Sequence, residues 1–227
     1  MPDLGFTIEV AEVVKFSATP QIAFKLRVSN SDPAETIHSI ALRCQIQIEV
    51  TRRRYTEEDQ QKLRDLFGEP DRWSQTLRNL LWTHVNLNVP PFQGSTLVDM
   101  PVPCTFDFNV GATKYFHGLG DGEVPLCVMF SGTIFYSHPG YSHSGESMQV
   151  SLISWEKETR FSMPVKVWRD MMDSYYPNTA WLCLRRDLFE RVYEYKVKHG
   201  IPTWEQALES LLEAQPEVAI AEGAVHR

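Results

Sequence analysis

IALRCQIQIEV, residues 40–50, alternates without a break. Ile40, Leu42, Cys44, Ile46, Ile48 and Val50 fall on one side, Arg43, Gln45, Gln47 and Glu49 on the other. Successive side chains of a strand point to opposite faces, so this pattern predicts a strand with one buried and one wet side. One-sided strands belong to antiparallel sheets, which bury their apolar faces by pairing into sandwiches. The same period runs outward in both directions. Phe6, Ile8 and Val10 alternate with Thr7 and Glu9, and Ile22, Phe24, Leu26 and Val28 alternate with Ala23, Lys25 and Arg27. It resumes at Val85, Leu87 and Val89, and again through Met100, Val102, Cys104, Phe106 and Phe108. Residues 124–136, VPLCVMFSGTIFY, begin apolar on both faces, as in a central strand, and residues 147–155 and 161–163 bring the expected count to seven to nine strands.

The period changes twice. Thr56 followed by Glu57, Glu58 and Asp59 predicts an N-cap with an acidic first turn, Leu63, Leu66 and Phe67 follow at helical spacing, and Gly68 ends the run. Pro70 then opens a second stretch with Trp73, Leu77, Leu80 and Leu81 on one face. A helical hairpin over about 56–82 is therefore expected to interrupt the strands and cap one open end of the sandwich. From Pro164 onward the chain reads as helical, with Val165, Trp168 and Tyr175 on one helix. Leu188, Val192 and Tyr195 mark a second, and a capping box at Thr203 and Gln206 opens a third with Leu208, Leu211 and Leu212. The expected fold is α+β, an antiparallel, immunoglobulin-like β-sandwich over 1–163 with a helical C-terminal extension over 164–227 packed on it. Cys44, Trp82 and Cys104 follow the Cys…Trp…Cys order of immunoglobulin domains, but the helical pattern around Trp82 sets it apart from a strand tryptophan.

Composition narrows the function. The chain of 227 residues is 43% hydrophobic and 22% charged, enough to build a core without metal or disulfide staples. A formal charge of −7 argues against general affinity for nucleic acid, since phosphate binding needs clustered Lys and Arg. Its tight basic cluster, Arg52, Arg53 and Arg54, is followed at once by Glu57, Glu58 and Asp59. No apolar run is long enough to span a membrane, and the start MPDLGFTIEV has neither a basic flank nor an apolar core, so a cytoplasmic protein is expected. Four cysteines without CxxC spacing predict reduced, buried thiols rather than a zinc site.

Candidate chemistry is sparse. SHPGYSHSG, residues 137–145, sets His138 and His143 around a Pro-Gly pair, with Glu146 as the nearby carboxylate. These are the candidate metal ligands, but a site needs three or four converging ligands and the stretch joins two strand patterns, so a hairpin tip is the expectation. GLGDG, residues 118–122, precedes a strand rather than a helix and lacks the lysine of a P-loop, so its glycines predict a turn. No catalytic residue, cofactor or metal is expected, and a metal-dependent enzyme using the His138/His143 loop stands as an alternative. Contact residues are expected at Arg52, Arg53, Arg54, Trp73 and Tyr141.

Two resemblances add to this. AWLCLRRDLFERVYEYKVKHGIPTWEQALESLL, residues 180–212, resembles a ribbon–helix–helix unit, which implies self-pairing through the C-terminal segment and a DNA-binding regulator as an alternative function. It departs where base readout would occur, because Trp181, Leu182, Cys183 and Leu184 are apolar and only Arg185 and Arg186 suit DNA. Over nearly its whole length the sequence is similar to an uncharacterised bacterial family of unknown function. The likeness is carried by IHSIALRCQIQIEVTRRRY, LFGEPDRW, LLWTHV, PVPCTFDFNV, KYFHGLGDGEVPL, FSGTIFY, PVKVWRDMMDSYYPN and GIPTWEQALESLL. The SHPGYSHSG loop departs from that pattern in length and histidine content. The family's genes lie beside those of uptake NiFe-hydrogenases, which implies a protein-interaction or accessory role with hydrogenase subunits or maturation factors as partners.

Overall fold

The computed structural model describes residues 2–105, 110–137, 148–179 and 182–214. Among these are nine strands and seven α-helices, and the chain divides into two compact units, residues 1–179 and 180–227. The α+β class and the antiparallel sheets are as expected.

The first unit holds two sheets. β1 (Leu4–Val13), β2 (Gln21–Asn30) and β6 (Ser95–Pro103) form one, in the order β1-β2-β6. The other is built on two long central strands, β3 (Thr36–Ile48) and β7 (Glu123–Ser137). β4 (Leu80–Val89) and the short β5 (Phe92–Gln93) pair with β3, while β8 (Gln149–Leu152) and β9 (Glu158–Pro164) share the other side of β7. Every pairing is antiparallel. The sheets meet face to face through aromatic side chains. Phe6 of β1 stacks on Phe130 of β7 at 4.1 Å, and Phe24 of β2 meets Trp82 of β4 and Phe161 of β9 edge-on at 6.1 and 6.0 Å.

The strand that decides the fold behaves as its pattern requires. All six alternate residues from Ile40 to Val50 are buried. Three β-bulges shift the alternation elsewhere. The β1–β2 register slips between Ile8 and Val10, which turns Val10 outward at 40% exposure and puts Ala11 in the core in its place. A slip at His38 moves the buried set of β3 from Ile37 to Ile40. A third, at Trp82, lets Trp82 and Thr83 both face inward.

That third bulge corrects the expected hairpin. The helices α1 (Glu57–Lys62), α2 (Arg64–Phe67) and α3 (Trp73–Thr76) stop at Thr76, and Leu80, Leu81 and Trp82 belong to β4. The spacing of Leu77, Leu80 and Leu81 fits a helix, but pairing with Gln47 and Ile48 of β3 satisfies this backbone and the bulge buries the indole. A helix not expected, α4 (Val110–Gly118), follows β6, which ends at Pro103; Phe106 and Phe108 lie outside the described residues. α4 buries Ala112, Tyr115 and Phe116.

α5 (Val165–Tyr175) belongs to the first unit, so the boundary lies at 179/180 rather than 163/164. Val165, Trp168 and Met171 of α5 are in the core, and the Trp168 ring stacks on Phe116 at 5.6 Å. The Tyr175 hydroxyl pins its far end. It accepts from the Ser17 N–H at 3.0 Å and shares its proton between the Val14 and Ser17 carbonyls. The second unit contains α6 (Arg186–Lys198) and α7 (Trp204–Glu213). No helix among the described residues is long and apolar enough to cross a membrane.

Candidate functional site

Two places gather the residues that the sequence marked, or should have marked. The first is a cleft of about 580 Å³ in the first unit, where the basic cluster meets the GLGDG turn, with Ser162 of β9 on its wall. Thr56 caps α1 by accepting from the Asp59 N–H at 3.1 Å, while the Asp59 carboxylate accepts from the Thr56 N–H at 3.3 Å. The same carboxylate accepts from the Gly120 N–H at 2.7 Å and lies 3.7 Å from the Arg53 guanidinium. Arg53, with its side chain 7% exposed, also donates to the carbonyls of Asp121 and Glu123. Arg169 of α5 donates to the Leu119 carbonyl at 2.7 Å. Gly122, at φ +90°, completes a turn bound from three directions. GLGDG is thus a tied turn, as its sequence predicted.

Arg53 is therefore a clamp, not an exposed contact residue. Arg52 pairs with the buried Glu49 at 3.4 Å, and Arg160 reaches the same carboxylate at 3.5 Å and Glu158 at 2.9 Å. Arg54 is exposed and has no ion pair among the described residues. Glu58, Asp59, Asp121 and Glu123 line the same cleft, so its charges compensate one another and make no anion platform. Trp73, expected at the surface, is 7% exposed; its indole N–H donates to the Gly68 carbonyl at 2.9 Å and its ring packs edge-on against Tyr55 and Phe67. Burial gives it a structural place in the helical cap. Tyr141, His138, His143 and Glu146 lie outside the described residues. Among the described residues no three His, Cys, Asp or Glu side chains converge as metal ligands.

Three of the four thiols are buried, as expected, and burial pushes Cys44 and Cys104 up to about 12 and Cys127 to about 11. Cys183 is exposed.

The second place is the α6–α7 pair, described by itself. Thr203 caps α7 by accepting from the Gln206 N–H at 3.2 Å, Gly200 at φ +63° ends α6, and the Tyr195 and Ser210 hydroxyls meet at 2.8 Å between the helices. Of their apolar side chains, Val192 and Ala207 are buried. Phe189, Tyr193 and Val197 recur at i, i+4 and i+8 on α6, and Trp204, Leu208 and Leu212 do so on α7, all exposed. The Trp204 ring lies 5.1 Å from Phe189 and 6.1 Å from Tyr193, so the two stripes form one face. A groove of about 600 Å³ opens beside it, lined by Leu182, Leu184, Phe189, Val192, Trp204 and Leu208. The apolar spacing was legible, but it gives the same signal for a core-facing stripe as for a docking face. The segment Leu182–Arg185 forms no strand in this chain.

The chain has no match among curated proteins. Residues 1–219 match the model of a family of unknown function, DUF6084, and the chain belongs to that family.

Proposed function

We propose that the chain is a non-enzymatic interaction module, an accessory protein that docks through the apolar face of α6 and α7. The observation that carries this is the pair of exposed stripes, with Phe189 at 45%, Val197 at 61% and Leu212 at 74% exposure. Contiguous apolar surface rimmed by charge marks interaction sites in soluble proteins, and aromatic side chains such as Phe189, Tyr193 and Trp204 are the residue types that anchor interfaces. The gene neighbourhood implied by the sequence likeness makes uptake-hydrogenase subunits and maturation factors the first heterologous partners to examine. Affinity capture of the tagged chain at native abundance tests the proposal. The wild type should retain a stoichiometric partner chain, and a Phe189→Glu, Leu208→Glu variant should lose it while keeping the thermal transition of the sandwich. Recovery of the wild-type chain alone would sink the docking role.

A further inference from the structure

We infer that β8 is a self-pairing edge: two copies of the chain join their six-stranded sheets through β8, antiparallel, about a twofold axis at Val150. The surface belongs to the first unit, so the inference stands apart from the docking role of α6–α7.

β8 closes the order β4-β3-β7-β8, and among the described residues β7 is its sole strand neighbour. In an antiparallel pair alternate residues turn both N–H and C=O to the partner. The Ile153 N–H donates to the Gly132 carbonyl of β7 at 3.0 Å, so Ser151 and Gln149 face β7 in the same way. Val150 and Leu152, with Met148 just before the strand, therefore hold their N–H and C=O groups out at the free edge. Such a row is a template for another extended backbone. The side chains are inverted as well. Met148, Val150 and Leu152 are exposed, whereas Ser151 and Ile153 are buried and Gln149 is half-buried. The strand thus shows its apolar side and turns its polar residues inward, the reverse of β3. Phe135 of β7, opposite Val150, extends the apolar strip.

Edges that stay single are guarded by charges, prolines or bulges. β1 has Glu9, Glu12 and the slip at Glu9, β4 has the slip at Trp82, β6 has Asp99, Pro101 and Pro103, and β9 has Glu158, Arg160 and Pro164. Residues 148–155, MQVSLISW, carry neither charge nor proline, and the β7–β8 register has no slip. The missing charge also selects the partner. A twofold axis sets an edge against itself, so any net charge on it would meet its own sign. This edge has none. Its pattern is complementary to itself in one register above others. Centred on Val150, every free-edge residue finds an apolar residue opposite: Val150 meets its own counterpart, and Leu152 meets Met148 of the other copy, twice. Centred on Ser151, Met148 would instead lie opposite Ser154, beyond the end of the strand.

Sedimentation equilibrium of the full chain tests this over about 5–500 µM, the range of a small, reversible interface. The mass should rise with concentration toward twice the 26.1 kDa of one chain. Val150→Lys and Val150→Glu each place like charges together at the axis, and each should weaken association roughly tenfold while keeping the thermal transition. An equimolar mixture of the two variants should recover the dimer, because the axis then joins opposite charges. Val150→Pro removes a free-edge N–H and leaves the bonds to β7 in place, so it too should give a monomer. In the wild type, hydrogen exchange at Val150 and Leu152 should slow as concentration rises. A Phe189→Glu, Leu208→Glu chain should pair as the wild type does. A monomer throughout the range, or a dimer indifferent to the Val150 substitutions, overturns the inference. So does a dimer that the Phe189→Glu, Leu208→Glu chain loses, which would place self-pairing on α6–α7.

Discussion

At the residue scale, Gly132 has the strictest demand on its identity. It sits in β7 opposite Leu42 at φ +152°, and a Cβ built there would lie 2.1 Å from the Ala41 carbonyl oxygen. It is also where β7 changes partner: the Ile153 N–H donates to the Gly132 carbonyl at 3.0 Å, and the Phe130 N–H donates to the Lys157 carbonyl at 2.9 Å. Gly132→Ala must displace β3 backbone, so it should cost on the order of 3 kcal/mol, seen as a lower urea midpoint; an unchanged midpoint would refute the clash. The buried thiols make a second prediction. Cys44 and Cys104 are raised from 9.0 to about 12 by burial. Between those values the unfolded chain has released the thiol protons that the folded chain keeps. Stability from these groups is therefore fully present below pH 9 and declines as pH rises toward 12, by about 1.4 kcal/mol per pH unit for each thiol. Urea midpoints measured at pH 8, 9 and 10 should fall in the last interval. A Cys44→Ala, Cys104→Ala variant should fall less steeply, and an equal slope would show that other groups dominate. Residue-scale roles were the hardest to foresee. An arginine at a strand end looks the same in sequence whether it clamps a turn, as Arg53 does, or faces water, as Arg54 does.

At the element scale, legibility followed the register. β3 keeps its alternation because its pairing with β7 is unbroken from Ile40 to Ile48 and the bulge on its other side puts the extra residue in β4. Val10 leaves its expected face because a bulge adds one residue and moves the later side chains to the other face, and nothing in the residue type at Glu9 announces it. Trp82 differs from its expectation because Trp73, Leu77, Leu80 and Leu81 keep helical spacing although Leu80–Val89 is a strand. α4 went unseen for a different reason. Val110, Gly111 and Thr113 are weak helix formers, and the signal that remained was Ala112, Tyr115, Phe116 and Leu119 at i, i+3, i+4 and i+7. Tertiary contact decides there: Phe116 lies between Trp82 and Trp168, at 4.9 and 5.6 Å. The capping box at Thr56, by contrast, was legible, although its further use was not. Asp59 closes the box, anchors Gly120 and faces Arg53 at once. Asp59→Ala therefore removes an N-terminal cap and leaves a guanidinium that is almost wholly buried without its carboxylate. A loss of about 3 kcal/mol is expected, larger than the ~1 kcal/mol of a cap alone. Hydrogen exchange should locate it: the amides of 118–123 should lose protection along with those of α1. Loss confined to α1 would mean that Asp59 does nothing beyond capping.

At the scale of the whole molecule, the two units differ in how much of their apolar side chains they bury. Periodicity could not place the division, because α5 and α6 both read as amphipathic helices and only their burial separates them. α5 gives Val165, Trp168 and Met171 to the sandwich core and ties the GLGDG turn through Arg169 and the β1–β2 turn through Tyr175. α6 and α7 have Val192 and Ala207 as their buried apolar residues. Truncation separates the two cases. A chain ending at residue 163 leaves the α5 side of Phe116 without its tryptophan, and large-to-small changes at such positions cost about 2–5 kcal/mol each. Three of them together match the roughly 5–15 kcal/mol that holds a whole domain. That chain should show no cooperative thermal transition. A chain ending at residue 179 keeps every one of those side chains and should melt in a single transition close to that of the full protein. A cooperative fold in the shorter chain would place the boundary at 163/164 after all.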